Sequence, residues 1–168
     1  LPGWHTNKKI VVIESDDWGA YRMRNRQTRD ELENIYARKF QNPYDRLDCL
    51  EQNEDLIQLL NVLTSFNSKP HPPVITLNII IANPDFQKIK YSGFHQYYYK
   101  TIKECYIENY RSDRVLNYIQ DGTALNFIKP QFHGRGHLQV LPWLKDLQNN
   151  QTEIRAAFDR GVYSISSE

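Results

Sequence analysis

Two short stretches of this sequence carry residue types that can bind a metal ion and move a proton. Asp16 and Asp17 are adjacent, and His133 and His137 are four residues apart. Two neutral imidazoles and one carboxylate form a three-ligand site with room for water, which is the open arrangement of a hydrolytic metal centre. The other carboxylate is then free to act as a base toward water at that centre.

The aspartate pair follows an apolar run, at a position where α/β proteins place their chemistry. Residues 10–13 read IVVI, and the stretch closes with Trp18 and Gly19. The run predicts a buried strand of a parallel sheet, whose carboxyl end would carry the two acidic groups. The alternative is a strand that ends in a solvated acidic turn, because adjacent carboxylates repel each other unless a cation, hydrogen bonds or a shared proton offsets the repulsion.

The histidine pair also follows a predicted strand. Residues 127–132 read FIKPQF, in which Pro130 weakens or bends the strand that leads to His133. Gly134 and Gly136 allow the backbone between the histidines to bend sharply or to approach a ligand. Because both pairs follow strands, we expect them on the same face, where the carboxyl ends of the parallel strands meet.

At these residues the sequence resembles the polysaccharide deacetylases, which are the NodB-homology or carbohydrate esterase family 4 enzymes. Residues 15–19 (SDDWG) are similar to the Asp-Asp motif of that family, and residues 133–137 (HGRGH) are similar to its His-x-x-x-His motif. The YdjC-type chitooligosaccharide deacetylases carry a similar Asp-Asp pair after their first strand. The resemblance implies a distorted, often incomplete (β/α) barrel.

The same resemblance implies a role for each residue of the two pairs. Asp16 would be the general base, and Asp17, His133 and His137 would bind a divalent metal, usually zinc. The reaction would be the hydrolysis of an N-acetyl or O-acetyl group on a carbohydrate substrate. No histidine follows His137, so either another group is the general acid or the chain is a truncated piece of a longer enzyme.

Four further residues are predicted to contact the substrate. Trp18 and Arg135 lie within the two motifs, and Asn83 and Asp85 follow the second predicted strand, residues 74–82. Polar groups at the end of a strand are candidates for the rim of a site or for a supporting role. For Asn83 and Asp85 the alternative is a plain Asn-Pro turn.

Two other functions remain open from the residues alone. One is a different metallohydrolase on a similar barrel, acting on a phosphoester or a cyclic amide. Clustered basic residues near the motifs would favour a phosphoester, and only Arg135 and the arginines of residues 22–29 qualify. The other is a non-catalytic carbohydrate-binding fragment, in which the sugar cleft survives without turnover.

Helical patterns separate the predicted strands, and this alternation predicts an α/β fold with a parallel sheet that forms a partial or distorted (β/α) barrel. Residues 1–168 would be a single domain, the N-terminal part of a barrel deacetylase-like domain.

The expected loops or irregular segments are residues 20–29, 43–49 and 86–110. The expected strands are residues 10–14, 74–82, 127–132 and 162–165. Five helices are expected. Thr28 caps the first, and the second covers residues 50–66. The third is capped by Ser112 and ends at Gly122, the fourth covers residues 138–147, and the fifth is capped by Thr152 and ends at Gly161.

Composition limits the partners of the chain. The 168 residues carry a formal net charge of +1 and are 40% apolar, which is typical of a globular protein and gives no electrostatic reason to bind nucleic acid. No apolar run approaches the roughly 20 residues that span a membrane, so we expect no membrane partner and favour the cytoplasm. The strand edges of an incomplete barrel would favour a homo-oligomer.

Overall fold

Five strands and eight helices make up the part of the chain that the computed structural model describes, residues 3–165. Residues 1–2 and 166–168 of the predicted domain lie outside it. The strands are β1 (Glu14–Trp18), β2 (Ile75–Ile80), β3 (Ala82–Pro84), β4 (Tyr99–Thr101) and β5 (Ile128–Gly134). The helices are α1 (Arg26–Ile35), α2 (Pro43–Leu47), α3 (Asn53–Thr64), α4 (Phe86–Tyr91), α5 (Ile102–Tyr110), α6 (Arg114–Ala124), α7 (Val140–Gln148) and α8 (Thr152–Phe158).

The main sheet has three parallel strands in the order β1-β2-β5, which confirms the predicted α/β fold with a parallel sheet. Both predicted motifs follow its strands, with Asp17 near the carboxyl end of β1 and His133 near that of β5. They therefore lie at the same end of the sheet, where the carboxyl ends of the parallel strands meet. A separate antiparallel pair joins β3 to β4. The main sheet does not close into a barrel within residues 3–165.

The first strand begins later than the sequence predicts. Residues 10–13 were expected to be buried, but β1 starts at Glu14, and Val11 and Val12 are 85% and 69% exposed. The reason is the pairing register, in which Glu14 lies opposite Thr76 near the start of β2. The Ile13 carbonyl still accepts a hydrogen bond from the Thr76 amide at 2.9 Å, but the residues before Ile13 extend beyond the first residue of β2, Ile75, so their side chains are not covered by it.

One face of the sheet packs on helices and forms the main core. Leu77 of β2 is fully buried and lies in one cluster with Leu56 and Leu63 of α3 and with Val115 and Ile119 of α6. These helices supply the apolar faces that the helical periodicity predicts. The packing of α3 and α6 on β2 thus anchors the strand that stands between the two motifs.

The opposite face of the sheet is polar and open, although parallel sheets are usually covered on both faces. Register and alternation along the strands place six exposed or half-buried polar residues on it. They are Glu14, Asp16, Thr76, Asn78, Lys129 and Gln131. This face leads directly to the edge that carries the motifs.

The starts of two helices differ from the prediction, because residues that were not predicted as caps begin these helices. The predicted cap Thr28 is wrong: Asn25 caps α1 and accepts a hydrogen bond from the Thr28 amide at 2.8 Å. The predicted loop at residues 20–29 therefore includes the first turns of α1, and Met23 within it is buried. Residues 43–49, predicted to be irregular, contain α2, which Asn42 caps.

Other differences from the prediction arise where residues that are far apart in the chain contact each other. Residues 86–110 are ordered as α4, β4 and α5, and β4 exists because it pairs with β3. The helix α6 continues past its predicted end at Gly122. Residues 162–165 form no strand, because Val162 and Tyr163 are buried in two different apolar clusters. Within residues 3–165, no helix has both the length and the apolar character needed to cross a bilayer.

Replacing Leu77 with alanine should lower the free energy of unfolding by about 2–5 kcal/mol, because it leaves a cavity in a fully buried position. Leu141→Ala is the matched control, since Leu141 is 80% exposed and its loss should cost less than about 0.5 kcal/mol. Chemical denaturation of both variants gives the comparison. Equal losses would mean that this face of β2 is not the main core.

Candidate metal centre

The end of β1 has an unusual backbone that determines where Asp17 lies. A register shift interrupts the pairing between Ser15 and Trp18, and Asp17 adopts a left-handed conformation with φ 65°. Such a conformation is uncommon for residues other than glycine and is frequent at functional sites. Gly19 follows with φ 86°, and a Cβ atom there would lie 2.6 Å from the carbonyl oxygen of Ile80. The turn therefore requires glycine at this position.

Asp17, His133 and His137 converge at the carboxyl edge of the sheet. The Asp17 Oδ1 atom lies 3.5 Å from His133 Nε2 and 3.4 Å from His137 Nε2, and one ligand atom from each residue lies within 4.8 Å of the others. Two ligands at zinc-like distances from a tetrahedral centre are about 3.3 Å apart. The three side chains are therefore spaced closely enough to share one ion.

The hydrogen bonding of Asp17 also fits a cation. Its Oδ1 atom is buried and has no hydrogen-bond partner among the described residues, although both imidazole Nε2 atoms face it. The two imidazole rings lie side by side, with centroids 4.8 Å apart. A buried carboxylate oxygen without a partner is costly, and a cation between the three groups would satisfy it.

The loop after β5 returns the chain so that both histidines reach the same point. Gly134 has φ 149°, and its carbonyl accepts a hydrogen bond from the Ile81 amide at 3.1 Å. The next carbonyl, that of Arg135, accepts from the Ala82 amide at 3.0 Å. These two bonds hold the loop on the segment that follows β2, so that His137 comes back beside His133.

Asp16 lies on the open face of the sheet and outside the triad. Its side chain is exposed, and its Oδ1 atom accepts a hydrogen bond of 2.6 Å from Asn78 Nδ2. Asn78 was not among the residues predicted from the sequence. The signal was present, because Asn78 is the only amide in the apolar run of residues 74–82.

Two side chains form hydrogen bonds with the backbone of Gly19. The Gly19 amide donates to Glu51 Oε2 at 3.2 Å, and Asn83 Nδ2 donates to the Gly19 carbonyl at 2.7 Å. Glu51 in turn accepts a hydrogen bond from the hydroxyl of the buried Tyr106. Asn83, predicted to contact substrate, is 1% exposed and is bound to the turn that carries Asp17. Glu51 was missed, because residues 50–66 were predicted to be helical, whereas α3 begins at Asn53 and leaves Glu51 in the preceding loop.

The other predicted substrate contacts differ in how they are placed. Trp18 is partly buried and packs on the main core cluster. Asp85 is buried and caps α4, accepting from the Lys88 amide at 3.1 Å. Both side chains are thus occupied within the chain, and their contact with a substrate stays a prediction.

Arg135 is the predicted contact that remains at the surface. It is exposed, and its guanidinium lies 5.4 Å from the ring centroids of both Tyr97 and Tyr99. Contacts with two aromatic rings restrain the long side chain and leave its N–H groups available. It lies between the two histidines in the sequence, so its backbone belongs to the loop that joins them.

A second acidic group adds to the negative charge near Asp17. Burial raises the pKa of Asp48 to about 6, while Arg22, 3.4 Å away, lowers it and Asp17 raises it further. Burial also raises the pKa of Glu51. Burial is the largest cause of both shifts, and the neighbouring carboxylates add to the raised pKa of Asp48.

Removing the Asn83 side chain should loosen the Gly19 turn and weaken Zn²⁺ binding roughly 10-fold, as is typical for groups that orient metal ligands. We would titrate Asn83→Ala with Zn²⁺ beside Asn117→Ala, which removes an exposed amide on α6. The control should bind like the unaltered chain. Unchanged Zn²⁺ affinity in Asn83→Ala would mean that the turn does not depend on this hydrogen bond.

Asp48 should give the chain a measurable pH dependence of stability. Because its pKa is raised from 3.8 to about 6 by folding, its contribution is fully present below about pH 4 and is lost as the pH rises through about 6. Asp48→Asn cannot ionise, so its free energy of unfolding relative to the unaltered chain should increase between about pH 4 and about pH 7. Denaturation of the metal-free proteins measures this difference. A constant difference would contradict the raised pKa.

Comparisons with known proteins identify no relative of this chain. A scan against protein-family models and searches of curated proteins and of solved structures find nothing that matches this chain. What the site can do is therefore inferred from its own groups, which are two imidazoles and a carboxylate that converge, a second carboxylate on the open sheet face and an exposed arginine in the loop between the histidines.

Proposed function

We propose that the chain acts as a metal-dependent hydrolase that removes acetyl groups from a carbohydrate. The observation that carries the proposal is the convergence of Asp17, His133 and His137, whose ligand atoms lie within 4.8 Å of one another. The two motifs that supply these residues are those that resemble the polysaccharide deacetylases. Both lines of support use the same three side chains.

In this proposal Asp17, His133 and His137 hold a divalent cation, with zinc as the expected ion. Two imidazole nitrogens and one carboxylate oxygen are a ligand set that suits zinc and keeps one position open. A cation there would polarise an acyl carbonyl and lower the pKa of a water molecule. The protein supplies the geometry through the Gly19 turn and the loop between the histidines.

Asp16 would take the proton from the attacking water. Its carboxylate is exposed, so water reaches it, and the hydrogen bond from Asn78 restrains its orientation. It adjoins Asp17 in the chain but points onto the open sheet face, which keeps it outside the triad. One carboxylate is thus available as a ligand and the other as a base.

The proposed substrate contacts and fold follow the same lines. Arg135, held by Tyr97 and Tyr99, would contact the sugar at the rim. The three parallel strands occur in chain order in the sheet, which supports a partial (β/α) barrel as the architecture. A second candidate function is phosphoester hydrolysis at the same triad, favoured by the exposed guanidinium of Arg135, which can bind an anion.

Asp17→Asn should weaken Zn²⁺ binding, because it removes an anionic ligand from the triad. Asp16→Asn should keep nearly all of the Zn²⁺ affinity and lower acetate release from acetylated chitooligosaccharides by about 10²- to 10⁴-fold. Metal titration and an acetate assay on the same protein preparations separate the two roles.

Asp121→Asn, on the exposed surface of α6, is the matched control and should change neither quantity. Full acetate release by Asp16→Asn would show that Asp16 is only a turn residue. Phosphate release from a phosphoester, with no acetate release, would favour the second candidate function.

A further inference from the structure

Residues 10–13 (IVVI) form an exposed apolar segment at an edge of the main sheet. Their side chains are all exposed, and β1, which they precede, is an outer strand in the order β1-β2-β5. Within residues 3–165, neither the amide nor the carbonyl of Ile10, Val11 or Val12 forms a hydrogen bond. The segment therefore continues β1 toward the amino terminus with backbone groups and apolar side chains that the described fold does not pair.

The composition of this segment favours pairing with another strand. Four consecutive β-branched residues have a high β propensity, and none of residues 9–14 is Pro or Gly. Exposed strand edges are usually protected by a Pro, by a bulge or by charged side chains along the edge. Residues 10–13 contain neither Pro nor a charged side chain. An apolar strand segment without such protection is a site at which a further strand can add.

The other outer strand of the sheet is less suited to pairing. β5 contains Pro130 near its centre, and a proline in a strand is confined to positions where its missing amide would face outward from the sheet. The free edge of β5 therefore lacks a hydrogen-bond donor at its centre. The edge of β1 is the one that can pair.

The charges that flank the apolar segment indicate what can pair with it. Lys8 and Lys9 precede it, and Glu14 follows it. All three side chains are exposed, and they form no ion pair or side-chain hydrogen bond in the part of the chain that the structure describes. An antiparallel pair of two copies brings the basic end of each segment to the acidic end of the other. The segment is thus complementary in charge to itself.

We propose that two copies of this chain pair through residues 8–14, as antiparallel strands related by a two-fold axis. In such a contact each residue pair occurs twice, because residue i of one copy faces residue j of the other and the reverse holds as well. The two three-stranded sheets then form one continuous sheet of six strands, which is a common size. The contact uses no residue of the triad, so it depends neither on a metal nor on the proposed function.

The charges also determine the register of the pair. An axis at Val11 places Lys8 opposite Glu14, and opposite charges that face each other across two strands are stabilising. Lys9 then lies opposite Ile13, which its long aliphatic stem can cover. The remaining apolar residues of the segment face each other across the axis.

A register shifted to an axis at Val12 is less favourable. It would place Ile10 opposite the carboxylate of Glu14, whose side chain is shorter than that of lysine. It would also place Lys8 opposite Asp16, whose carboxylate already accepts a hydrogen bond within the chain. The register with its axis at Val11 is therefore the one that satisfies both ends of the segment.

Sedimentation velocity of the full chain measures this contact. At about 100 µM chain, a dimer with a Kd of about 10 µM or lower is the main species. Lys8→Glu and Glu14→Lys each replace two attractions with two repulsions and should each weaken the dimer roughly tenfold. Val11→Lys places two like charges at the axis and should weaken it at least as much. Lys69→Glu and Val62→Lys, at exposed residues outside the contact, are the matched controls and should dimerise like the unaltered chain.

An equimolar mixture of the Lys8→Glu and Glu14→Lys chains tests the register directly. In the mixed dimer both introduced charges face opposite charges, so the mixture should dimerise like the unaltered chain although each variant alone does not. A chain that is monomeric at the same concentration, a dimer that Val11→Lys leaves intact, or a mixture no tighter than its components would overturn the proposal. Oligomers larger than a dimer would also overturn it, because a two-fold contact closes on itself.

Discussion

The close approach of backbone at Gly19 is the constraint on which the site depends. Only a residue without a Cβ atom fits between the Ile80 carbonyl and the Ile102 side chain, and this contact lets the chain turn directly after β1. Asn83 and Glu51 then bind the carbonyl and the amide of the same residue. Gly19 lies two residues after Asp17, which adopts a left-handed conformation with its carboxylate close to the two imidazoles.

Charge is concentrated around that turn. Asp16, Asp17, Asp48 and Glu51 all lie near it, and burial raises the pKa values of the last two. Arg22 pairs with Asp48, but the buried oxygen of Asp17 has no hydrogen-bond partner among the described residues. A divalent cation between Asp17 and the histidines would offset this repulsion, so the electrostatics and the geometry favour the same occupant.

The two faces of the main sheet differ, because one is covered by helices and the other carries polar side chains. The face of Leu77 is covered by α3 and α6 and supplies the apolar burial that stabilises β2. The opposite face is polar and open, so Asp16 and Asn78 meet there without the cost of burial. Because β2 pairs with both β1 and β5, the strands that carry the two motifs are held on either side of it.

Local patterns in the sequence were sufficient for the α/β class and for the strands around residues 74–82 and 127–132, because apolar runs depend on neighbouring residues only. The prediction that Asp17, His133 and His137 act together rested instead on the resemblance of their two motifs to a known family. Contacts across the chain decided the rest. Asn78 meets Asp16 over 62 residues and Glu51 meets Gly19 over 32, and no local pattern encodes such pairings. For the same reason the apolar residues 10–13 were predicted to be buried and are exposed. Burial requires a neighbouring strand, and β2 begins at Ile75, so in a register that places Glu14 opposite Thr76 the residues before Ile13 extend beyond it.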